Sequence, residues 1–348
     1  SRGCQGSVRM NESNLEGLCE HADLKAYTTF GVAGVARYLL EFHDLAALKA
    51  GVEFARDQRL PLLVLGQGSN VLLLQGFPGL VLVNRLLGKE RLEQGCLKVA
   101  GGEDWHELVL WCSQQKLHGL ENLALIPGTV GAAPIQNIGA YGVEVASYIS
   151  QLTAYDTQLA REVVFGRDDC DFAYRDSLFK RAPVGRYIIL EVVLQLAEKF
   201  FPNLSYGALA EVFANCAPPS SVELIEAVCR IRRSKLPDPR LLGNAGSFFK
   251  NPLVSEGKIA SLQQQGFDLP YYSSDDKDLY RVPAAWLLEQ AGWKGRVRGQ
   301  AAVHEDHALV LVNLGSASGE EIFLLAQEMS NSVLQKFGIA LQPEVRLI

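Results

Sequence analysis

The sequence lacks several features that would each indicate a class of protein. Its seven cysteines are scattered and include no C-x-x-C pair, which argues against a structural zinc site and against a disulfide framework. No stretch approaches the ~20 apolar residues that a membrane-spanning helix needs, and charges interrupt the first twenty residues. We therefore expect no membrane anchor, no signal peptide and a reducing, cytoplasmic location.

An excess of positive charge is also missing. The chain carries 33 Lys and Arg against 39 Asp and Glu, a formal net charge of −6. Such a chain has no overall attraction for nucleic acid, so an anionic ligand has to be met by a local group of cations. With 348 residues, 48% of them hydrophobic, the chain is long enough for two or three domains with substantial cores.

The histidines give no clear sign of a metal site. Of the six, only His304 and His307 have a spacing that suits a shared ion, and no third ligand lies near them in the sequence. We interpret both as surface residues in a polar turn before a strand, and we predict no metal.

The pattern of apolar residues predicts mixed helices and strands. Asp44 is placed to cap a first helix, and apolar runs punctuated by Gly and Pro predict short strands after it. Two capping boxes predict later helices: Ser220 with Glu223 begins one that reaches Lys235, and Ser318 with Glu321 begins one that ends before Gly338. A domain boundary is expected near Pro237, and a last strand at 344–348, with Glu344 and Arg346 on one face.

Two glycine-rich stretches are candidates for a ligand site. Residues 66–70, Gly-Gln-Gly-Ser-Asn, lie between two apolar strands, where several backbone N–H groups can converge on a diphosphate, although a plain hairpin turn fits as well. The loop is neither a Walker A nor a G-x-G-x-x-G motif. Residues 127–142 contain four glycines and no charge. This composition suits backbone packed against a large planar ligand, or a tightly packed internal loop.

These stretches resemble, in order along the chain, signatures of the UDP-N-acetylenolpyruvoylglucosamine reductase family. The other segments that carry the resemblance are 174–177, 233–239, 243–252 and 343–346. The resemblance implies an α+β protein: a vanillyl-alcohol-oxidase-type FAD-binding fold of two α+β subdomains, followed by a C-terminal α+β substrate-binding domain. The implied division is an unmatched segment 1–20, FAD subdomains 21–85 and 86–236, a substrate domain 237–338, and a C-terminal strand 339–348 that returns to the active site.

The function implied by the resemblance is a step of bacterial cell-wall synthesis. A member of this family reduces UDP-N-acetylglucosamine enolpyruvate to UDP-N-acetylmuramate, with non-covalent FAD as cofactor and NADPH as hydride donor. The expected partners are therefore this substrate and NADPH, with neither nucleic acid nor membrane, and the expected state is a monomer. NADPH follows from the family alone, so a preference for NADH stays open.

Three residues are the candidates for catalysis. Hydride addition to an enolpyruvyl ether builds negative charge next to the carboxylate, which calls for a cation and for one acid aimed at the α-carbon. By resemblance, Ser247 is the proton donor and Glu344 assists in enolate stabilisation or proton relay. Arg175, with its planar guanidinium, suits bidentate pairing with the substrate carboxylate. Two of the three also have an ordinary alternative: Ser247 suits a turn serine, and Glu344 suits an exposed ion pair with Arg346.

Further residues are implied in binding. Arg230, Arg232, Arg233 and Lys235 form the local group of cations that an anionic ligand requires, although basic residues at a helix end commonly only complement its dipole. The Tyr206 loop suggests a flap that closes over the nucleotide. Tyr272 is preferred over Tyr271 as the second tyrosine. The implied substrate contacts are Tyr206, Lys235, Asn251 and Tyr272. The implied cofactor contacts are Gly66, Gly68, Ser69, Asn70, Pro127, Gly128, Gly131, Gln136, Asn137, Gly139, Ala140, Tyr141, Gly142, Arg232 and Arg346.

Two other functions remain alternatives. A flavin oxidase acting on an alcohol or sugar often tethers FAD through His or Cys near the first glycine loop, and none lies between Leu60 and Leu86. A nucleotide-sugar-binding module without catalysis suits every glycine loop, but it leaves Ser247, Arg175 and Glu344 unexplained.

Overall fold

The computed structural model describes residues 15–274 and 276–348, and helices and strands alternate along them. The helices are α1 Leu45–Asp57, α2 Trp105–Gln114, α3 Leu178–Arg181, α4 Gly207–Phe213, α5 Ser221–Lys235, α6 Glu256–Gln264, α7 Ala284–Gln290 and α8 Gly319–Phe337. The strands are β1 Cys19–Asp23, β2 Val35–Phe42, β3 Leu62–Leu65, β4 Val71–Leu72, β5 Phe77–Asn84, β6 Lys89–Arg91, β7 Cys96–Ala100, β8 Gly139–Ala140, β9 Val143–Glu144, β10 Ile149–Asp156, β11 Arg161–Gly166, β12 Tyr187–Gln195, β13 Gly243–Ser247, β14 Leu253–Ser255, β15 Tyr272–Ser273, β16 Leu279–Arg281, β17 Val297–Arg298, β18 Ala301–Val303, β19 Val310–Asn313 and β20 Arg346–Leu347.

Local capping signals set the helix ends as predicted. Asp44 accepts a hydrogen bond from the N–H of Ala47 at the start of α1. Ser318 and Glu321 form a full capping box on α8, and Gly338 ends that helix in the left-handed conformation with a φ of 62°. These bonds satisfy backbone groups that a helix terminus leaves without an internal partner.

The chain forms two compact units that interleave in sequence. Unit 1 comprises the described residues up to Ala22, Val35–Gly68 and Phe77–Ser234. Unit 2 comprises Asp23–Gly34, Ser69–Gly76 and Lys235–Ile348. The finer division into subdomains stays a prediction.

Unit 1 is built on two larger sheets. One has the order β1-β2-β5-β3, in which β2 and β3 both run parallel to the central β5. The other is antiparallel, with the order β11-β10-β12-β7-β6. Apolar residues of α1 pack against the first sheet, and α2 and α5 contribute to a core with the second sheet. Both patterns bury the helix faces that the sequence marks as apolar.

Unit 2 contains a four-stranded antiparallel sheet, β13-β19-β18-β17, and a three-stranded one, β14-β16-β15. Strand β19 is buried along its whole length, which matches its three apolar residues Val310–Val312, and Asn313 at its end is also buried. The short strand β4 lies in this unit, parallel to β20.

The last strand is shorter than predicted. It begins at Arg346, and Glu344 lies in a bend before it. The N–H of Glu344 donates to the carbonyl of Phe248, whereas the N–H of Arg346 donates to the carbonyl of Asn70. Because the chain changes hydrogen-bonding partners between these two residues, they do not share a face of one strand, and that prediction was wrong.

In the part of the chain described, none of the helices has the length and apolar character that crossing a bilayer demands.

Candidate active site

The first glycine loop of unit 1 follows β3 and packs against the second. A Cβ added at Gly66 would lie 2.3 Å from Oγ1 of Thr129, so only glycine allows this approach. Gly66 of the first loop therefore packs against the side chain of Thr129 in the second loop. Neighbouring peptide groups from two loops are a suitable setting for the phosphates of a dinucleotide.

The side chain of Gln67 fastens the two loops together. Its Oε1 accepts the N–H of Gly128 at 3.0 Å, and its Nε2 donates to the carboxylate of Asp104. Asp104 also caps helix α2 by accepting the N–H of Glu107 at 2.9 Å. Sequence analysis missed Gln67 because its partners are distant along the chain and belong to no local motif.

The side chains of His106 and Arg232 hold the segment that enters the second loop. The N–H of Leu125 donates to Nδ1 of His106 at 3.0 Å, and the carbonyl of Leu125 accepts from Nε of Arg232 at 3.2 Å. Leu125 adopts a φ of 59°, which is costly for a residue other than glycine and needs support of this kind. Burial lowers the pKa of His106, so its Nδ1 stays an acceptor near neutral pH.

The residues of unit 1 that were predicted to contact the cofactor include a loop, 127–142, without any charged side chain, and the guanidinium of Arg232. Burial lowers the pKa of Arg232, and Tyr141 and Cys229 oppose this effect. A buried cation of this kind suits a diphosphate, whose charge offsets the cost of its desolvation.

Arg175 lies beside this surface in unit 1. Its Nη2 donates to the carbonyl of Gly139 at 2.6 Å, and its Nη1 donates to the carbonyl of Asn137 at 3.4 Å. The guanidinium stands 5.1 Å from the ring centre of Tyr174. Arg175 itself has a φ of 53°. A strained backbone at a charged residue is a feature often found at functional sites.

Tyr206 lies at the start of α4 in unit 1 and is 49% exposed. Its ring packs edge-on against the ring of Tyr141, with 5.4 Å between centroids. The buried amide of Asn122 donates to the carbonyls of Tyr141 and Asn203, both at 3.0 Å. The loop that carries Tyr206 is thus fastened to the predicted cofactor loop at two points.

Ser247 ends strand β13 in unit 2, next to a β-bulge. The register between β13 and β19 shifts between Asn244 and Ser247, where Gly246 has a φ of 70°. A bulge redirects the following side chain. The rings of Phe248 and Phe249 are buried directly after it. Within the described residues, no protein group forms a hydrogen bond with the Ser247 hydroxyl.

Glu344 and Asn70 lie close to this turn in unit 2. The N–H of Glu344 donates to the carbonyl of Phe248 at 2.8 Å, which places Glu344 against the residue that follows Ser247. Nδ2 of Asn70 donates to the carbonyl of Glu344 at 3.2 Å. Burial lowers the pKa of Arg346, two residues further on.

The predicted substrate contacts of unit 2 occupy different elements. Lys235 is exposed at the end of α5, and Tyr272 is 63% exposed at the start of β15. Oδ1 of Asn251 accepts the N–H of Ala284 at 2.9 Å, at the first residue of α7. Tyr271 packs edge-on against Tyr280, so of the neighbouring pair Tyr272 is the more exposed ring.

The site residues thus form two sets. Unit 1 brings together the two glycine loops, Arg232, Arg175 and Tyr206 in the contacts described above. Unit 2 brings together Ser247, Glu344, Asn70 and Arg346 through backbone contacts.

The two histidines with metal-like spacing serve the turn before β19. Nδ1 of His304 accepts the N–H of Asp306, and Nδ1 of His307 accepts the N–H of Leu309. Both histidines are half-buried, and burial lowers the pKa of His307. Across residues 15–274 and 276–348, no cluster of His, Cys, Asp and Glu is placed to hold a metal ion.

Comparisons with known proteins identify two regions of the chain. A family model described as a FAD binding domain matches residues 36–161. A second model, the C-terminal domain of UDP-N-acetylenolpyruvoylglucosamine reductase, matches residues 238–348. Among solved structures, the chain is similar to the crystal structure of this reductase from Thermus caldophilus, with a TM-score of 0.65, 26% identity, and coverage of 93% of this chain and 96% of the other.

A more distant structure shows the fold alone. The 6-hydroxy-D-nicotine oxidase of Arthrobacter nicotinovorans aligns with a TM-score of 0.53 at 12% identity, over 96% of this chain and 88% of the oxidase. The predicted vanillyl-alcohol-oxidase-type FAD-binding fold and the predicted FAD cofactor are confirmed by these matches.

Curated relatives match almost end to end. The UDP-N-acetylenolpyruvoylglucosamine reductase of Pasteurella multocida is 44% identical over 332 residues, covering 94% of this chain and 96% of the relative. The same enzyme of Xanthomonas euvesicatoria pv. vesicatoria is 45% identical over 337 residues, covering 95% and 96%. With this identity over nearly its whole length, the chain belongs to the UDP-N-acetylenolpyruvoylglucosamine reductases, a family of FAD-binding oxidoreductases.

Proposed function

We propose that this protein reduces UDP-N-acetylglucosamine enolpyruvate to UDP-N-acetylmuramate with NADPH, and that Ser247 donates the proton. The observation that carries the proposal is the position of Ser247. Its hydroxyl emerges from a β-bulge without a protein partner among the described residues, and the residue after it is bonded to Glu344. A structural turn serine normally bonds to its own backbone, which Ser247 does not.

The reaction adds two hydrogens across the enolpyruvyl double bond. FAD, when bound, supplies a hydride to the methylene carbon, and NADPH restores that hydride. The electron pair of the double bond then moves towards the α-carbon and its carboxylate. A proton delivered to the α-carbon completes the lactyl ether, so atoms and charge balance with one hydride and one proton.

Arg175 stabilises the negative charge of this enolate. Its guanidinium is planar and carries five N–H donors in a fixed fork that matches a carboxylate. The substrate carboxylate gains negative charge during the reaction, so it binds this fork more strongly in the transition state than in the ground state. Stronger binding of the transition state than of the ground state accelerates the chemical step.

Ser247 delivers the proton and Glu344 supports it. A hydroxyl is a weak acid, but an enolate carbon is basic enough to take its proton when the two are held in line. The alkoxide left behind needs a proton in turn. The proposed role of Glu344 is to relay this proton, or to help stabilise the enolate.

The cofactor and the nucleotide are held by separate sets of residues. When FAD is bound, the glycine loops with Arg232 would hold its diphosphate, and Arg346 would help to hold its flavin. Tyr206, Lys235, Asn251 and Tyr272 hold the UDP part of the substrate. Because Oδ1 of Asn251 already accepts the N–H of Ala284, contact with the nucleotide falls to its NH2 group. In this proposal the enzyme is a cytoplasmic monomer.

An anaerobic experiment on the purified holoenzyme tests the function. NADPH should bleach the yellow flavin, and the enolpyruvyl substrate should restore the colour stoichiometrically. Restoration by oxygen but not by the substrate would favour a flavin oxidase. A protein that is purified without flavin, and cannot take it up, would favour a nucleotide-sugar-binding module.

A further inference from the structure

The carboxylate of Glu144, which has no part in the function proposed above, lies beside Arg175. Its Oε1 is 3.9 Å from Nη1 of Arg175, and its Oε2 accepts a hydrogen bond from Nδ2 of Asn137 at 2.8 Å. The Glu144 side chain is 38% exposed, so the ion pair alone contributes little to stability. The carboxylate of Glu144 instead acts through the orientation that it gives to the guanidinium of Arg175.

Asn137 fixes this carboxylate firmly. The residue is fully buried, and besides Glu144 its Nδ2 donates to the carbonyl of Ala173 at 3.0 Å, while its Oδ1 accepts the N–H of Ala146 at 3.1 Å. A buried amide bonded at both ends cannot turn without leaving polar groups unsatisfied. Asn137 therefore holds Glu144 and also the peptide that leads into Arg175. It was predicted as a cofactor contact, yet its side chain serves this network.

The turn between Asn137 and Glu144 is shaped around the guanidinium. A Cβ added at Gly139 would lie 2.7 Å from Nη1 of Arg175 and 3.0 Å from Cγ of Glu144. The carbonyl of the same glycine accepts Nη2 of Arg175. Asn137 and Arg175 both have positive φ, 46° and 53°. Two strained residues and one obligatory glycine thus serve the placement of one side chain.

Glu144 also acts electrostatically, because a second cation, Arg232, interacts with Arg175. Arg232 is buried in unit 1, and the positive charge of Arg175 is among the influences that lower its pKa, after burial itself. Like charges repel, and the carboxylate of Glu144, 3.9 Å from Nη1 of Arg175, offsets part of this repulsion.

We infer that Glu144, held by Asn137, is a positioning residue that orients Arg175 for the substrate carboxylate. The inference rests on the catalytic role proposed for Arg175. It predicts that loss of Glu144 acts on the chemical step through Arg175 and leaves the cofactor site intact, because a misplaced catalytic group slows the reaction without preventing binding.

The test measures the two half-reactions of Glu144→Ala by anaerobic stopped flow. Reoxidation of the reduced enzyme by the enolpyruvyl substrate should slow by about 10- to 100-fold. Flavin content and the rate of reduction by NADPH should equal those of the wild type. Glu144→Gln should recover much of the loss, since its amide oxygen can still accept from Asn137. Substrate affinity, titrated on the oxidised enzyme by the change in flavin absorbance, should change less than the rate.

A matched control removes an equally exposed carboxylate from another arginine of unit 1. Glu41 accepts from Arg85 at 3.0 Å, with 35% of its side chain exposed. Glu41→Ala should leave both half-reactions unchanged. A loss of flavin, or an equal slowing of both half-reactions in Glu144→Ala, would mean a merely structural role and overturn the inference.

A double-mutant cycle separates this inference from the proposed function. In an Arg175→Ala background, the further change Glu144→Ala should have no added effect, because the group it positions is gone. Independent, multiplying effects would overturn the positioning role. If Arg175→Ala slows reoxidation and Glu144→Ala does not, the positioning role fails and the role of Arg175 survives. If Arg175→Ala leaves reoxidation unchanged, the proposed role of Arg175 itself fails.

Discussion

The backbone N–H of Glu344 donates to the carbonyl of Phe248 at 2.8 Å, so the residue next to Ser247 is joined directly to Glu344. The two residues are almost a hundred positions apart in the sequence, and neither lies in a regular part of a long strand. Ser247 follows a β-bulge, and Glu344 lies in a bend. Such irregular backbone is a common way to bring reactive side chains together on a rigid sheet.

Replacing Ser247 by alanine should separate the two half-reactions. We expect Ser247→Ala to reduce its flavin with NADPH at nearly the wild-type rate, since that step needs no proton from the hydroxyl. Reoxidation by the enolpyruvyl substrate should slow by about 100-fold or more, the usual contribution of a general acid. Anaerobic stopped flow measures both rates. Ser261→Ala, an exposed serine of α6, is the control, and an equal loss in both steps of Ser247→Ala would contradict the assigned role.

Gln67 should strengthen FAD binding although no FAD motif includes it. Gln67→Ala removes the hydrogen bond to Gly128 and the one to Asp104, and each is worth about 1 kcal/mol. The loops are then free to separate, and the Kd for FAD should rise by about tenfold or more, since 1.4 kcal/mol corresponds to a factor of ten. Titration of the apoprotein with FAD, followed by flavin fluorescence, measures the change.

The control for this prediction is Gln58→Ala, which changes an exposed glutamine at the end of α1. It should bind FAD as the wild type does. A wild-type Kd for Gln67→Ala would show that the two loops keep their positions without the hydrogen bonds of Gln67.

The sequence predicted those features whose cause is local. The capping box of Ser318 and Glu321 was recognisable because both partners lie within one helical turn. The bonds of Gln67, in contrast, reach 37 and 61 residues along the chain, and no pattern around Gln67 signals them. The same applies to Glu344, whose place in a bend depends on two partners far away in sequence.

Motif resemblance also assigns residues without saying what their side chains do. Asn137 lies within a stretch typical of cofactor binding, and so it was predicted to contact the cofactor. The fold shows its amide bonded to Glu144, Ala173 and Ala146. A residue can therefore be characteristic of a ligand site because it shapes the backbone there, a distinction that only the hydrogen bonds of the folded chain reveal.

His106 should make stability depend on pH. Burial lowers its pKa below the usual 6.5, so the unfolded chain binds a proton at a higher pH than the folded chain does. The contribution of His106 to the free energy of unfolding is therefore fully present above about pH 6.5, and it is lost as the pH drops below that value. His106→Asn keeps an acceptor for the N–H of Leu125 but does not titrate. Between pH 7.5 and pH 5.5, we expect the Tm of His106→Asn to fall less than the Tm of the wild type. Thermal melts in a single series of buffers measure both.

The control is His43→Asn, since His43 is exposed near the start of α1. Parallel Tm curves for the wild type and His106→Asn across this range would contradict the prediction.

Tyr206 should contribute to nucleotide affinity through its ring as well as its hydroxyl. The ring packs edge-on against Tyr141, whose backbone is tied by Asn122 to the segment that leads into the Tyr206 loop. Tyr206→Phe keeps this contact and should bind UDP only severalfold more weakly, by about one hydrogen bond. Tyr206→Ala loses the ring contact too, worth about 0.5–1.5 kcal/mol, and should bind more weakly still. Isothermal titration with UDP measures both, and Phe201→Ala, which removes a 79% exposed ring from the same region, should bind as the wild type does. Equal affinities for Tyr206→Phe and Tyr206→Ala would show that packing against Tyr141 has no part in holding the loop over the nucleotide.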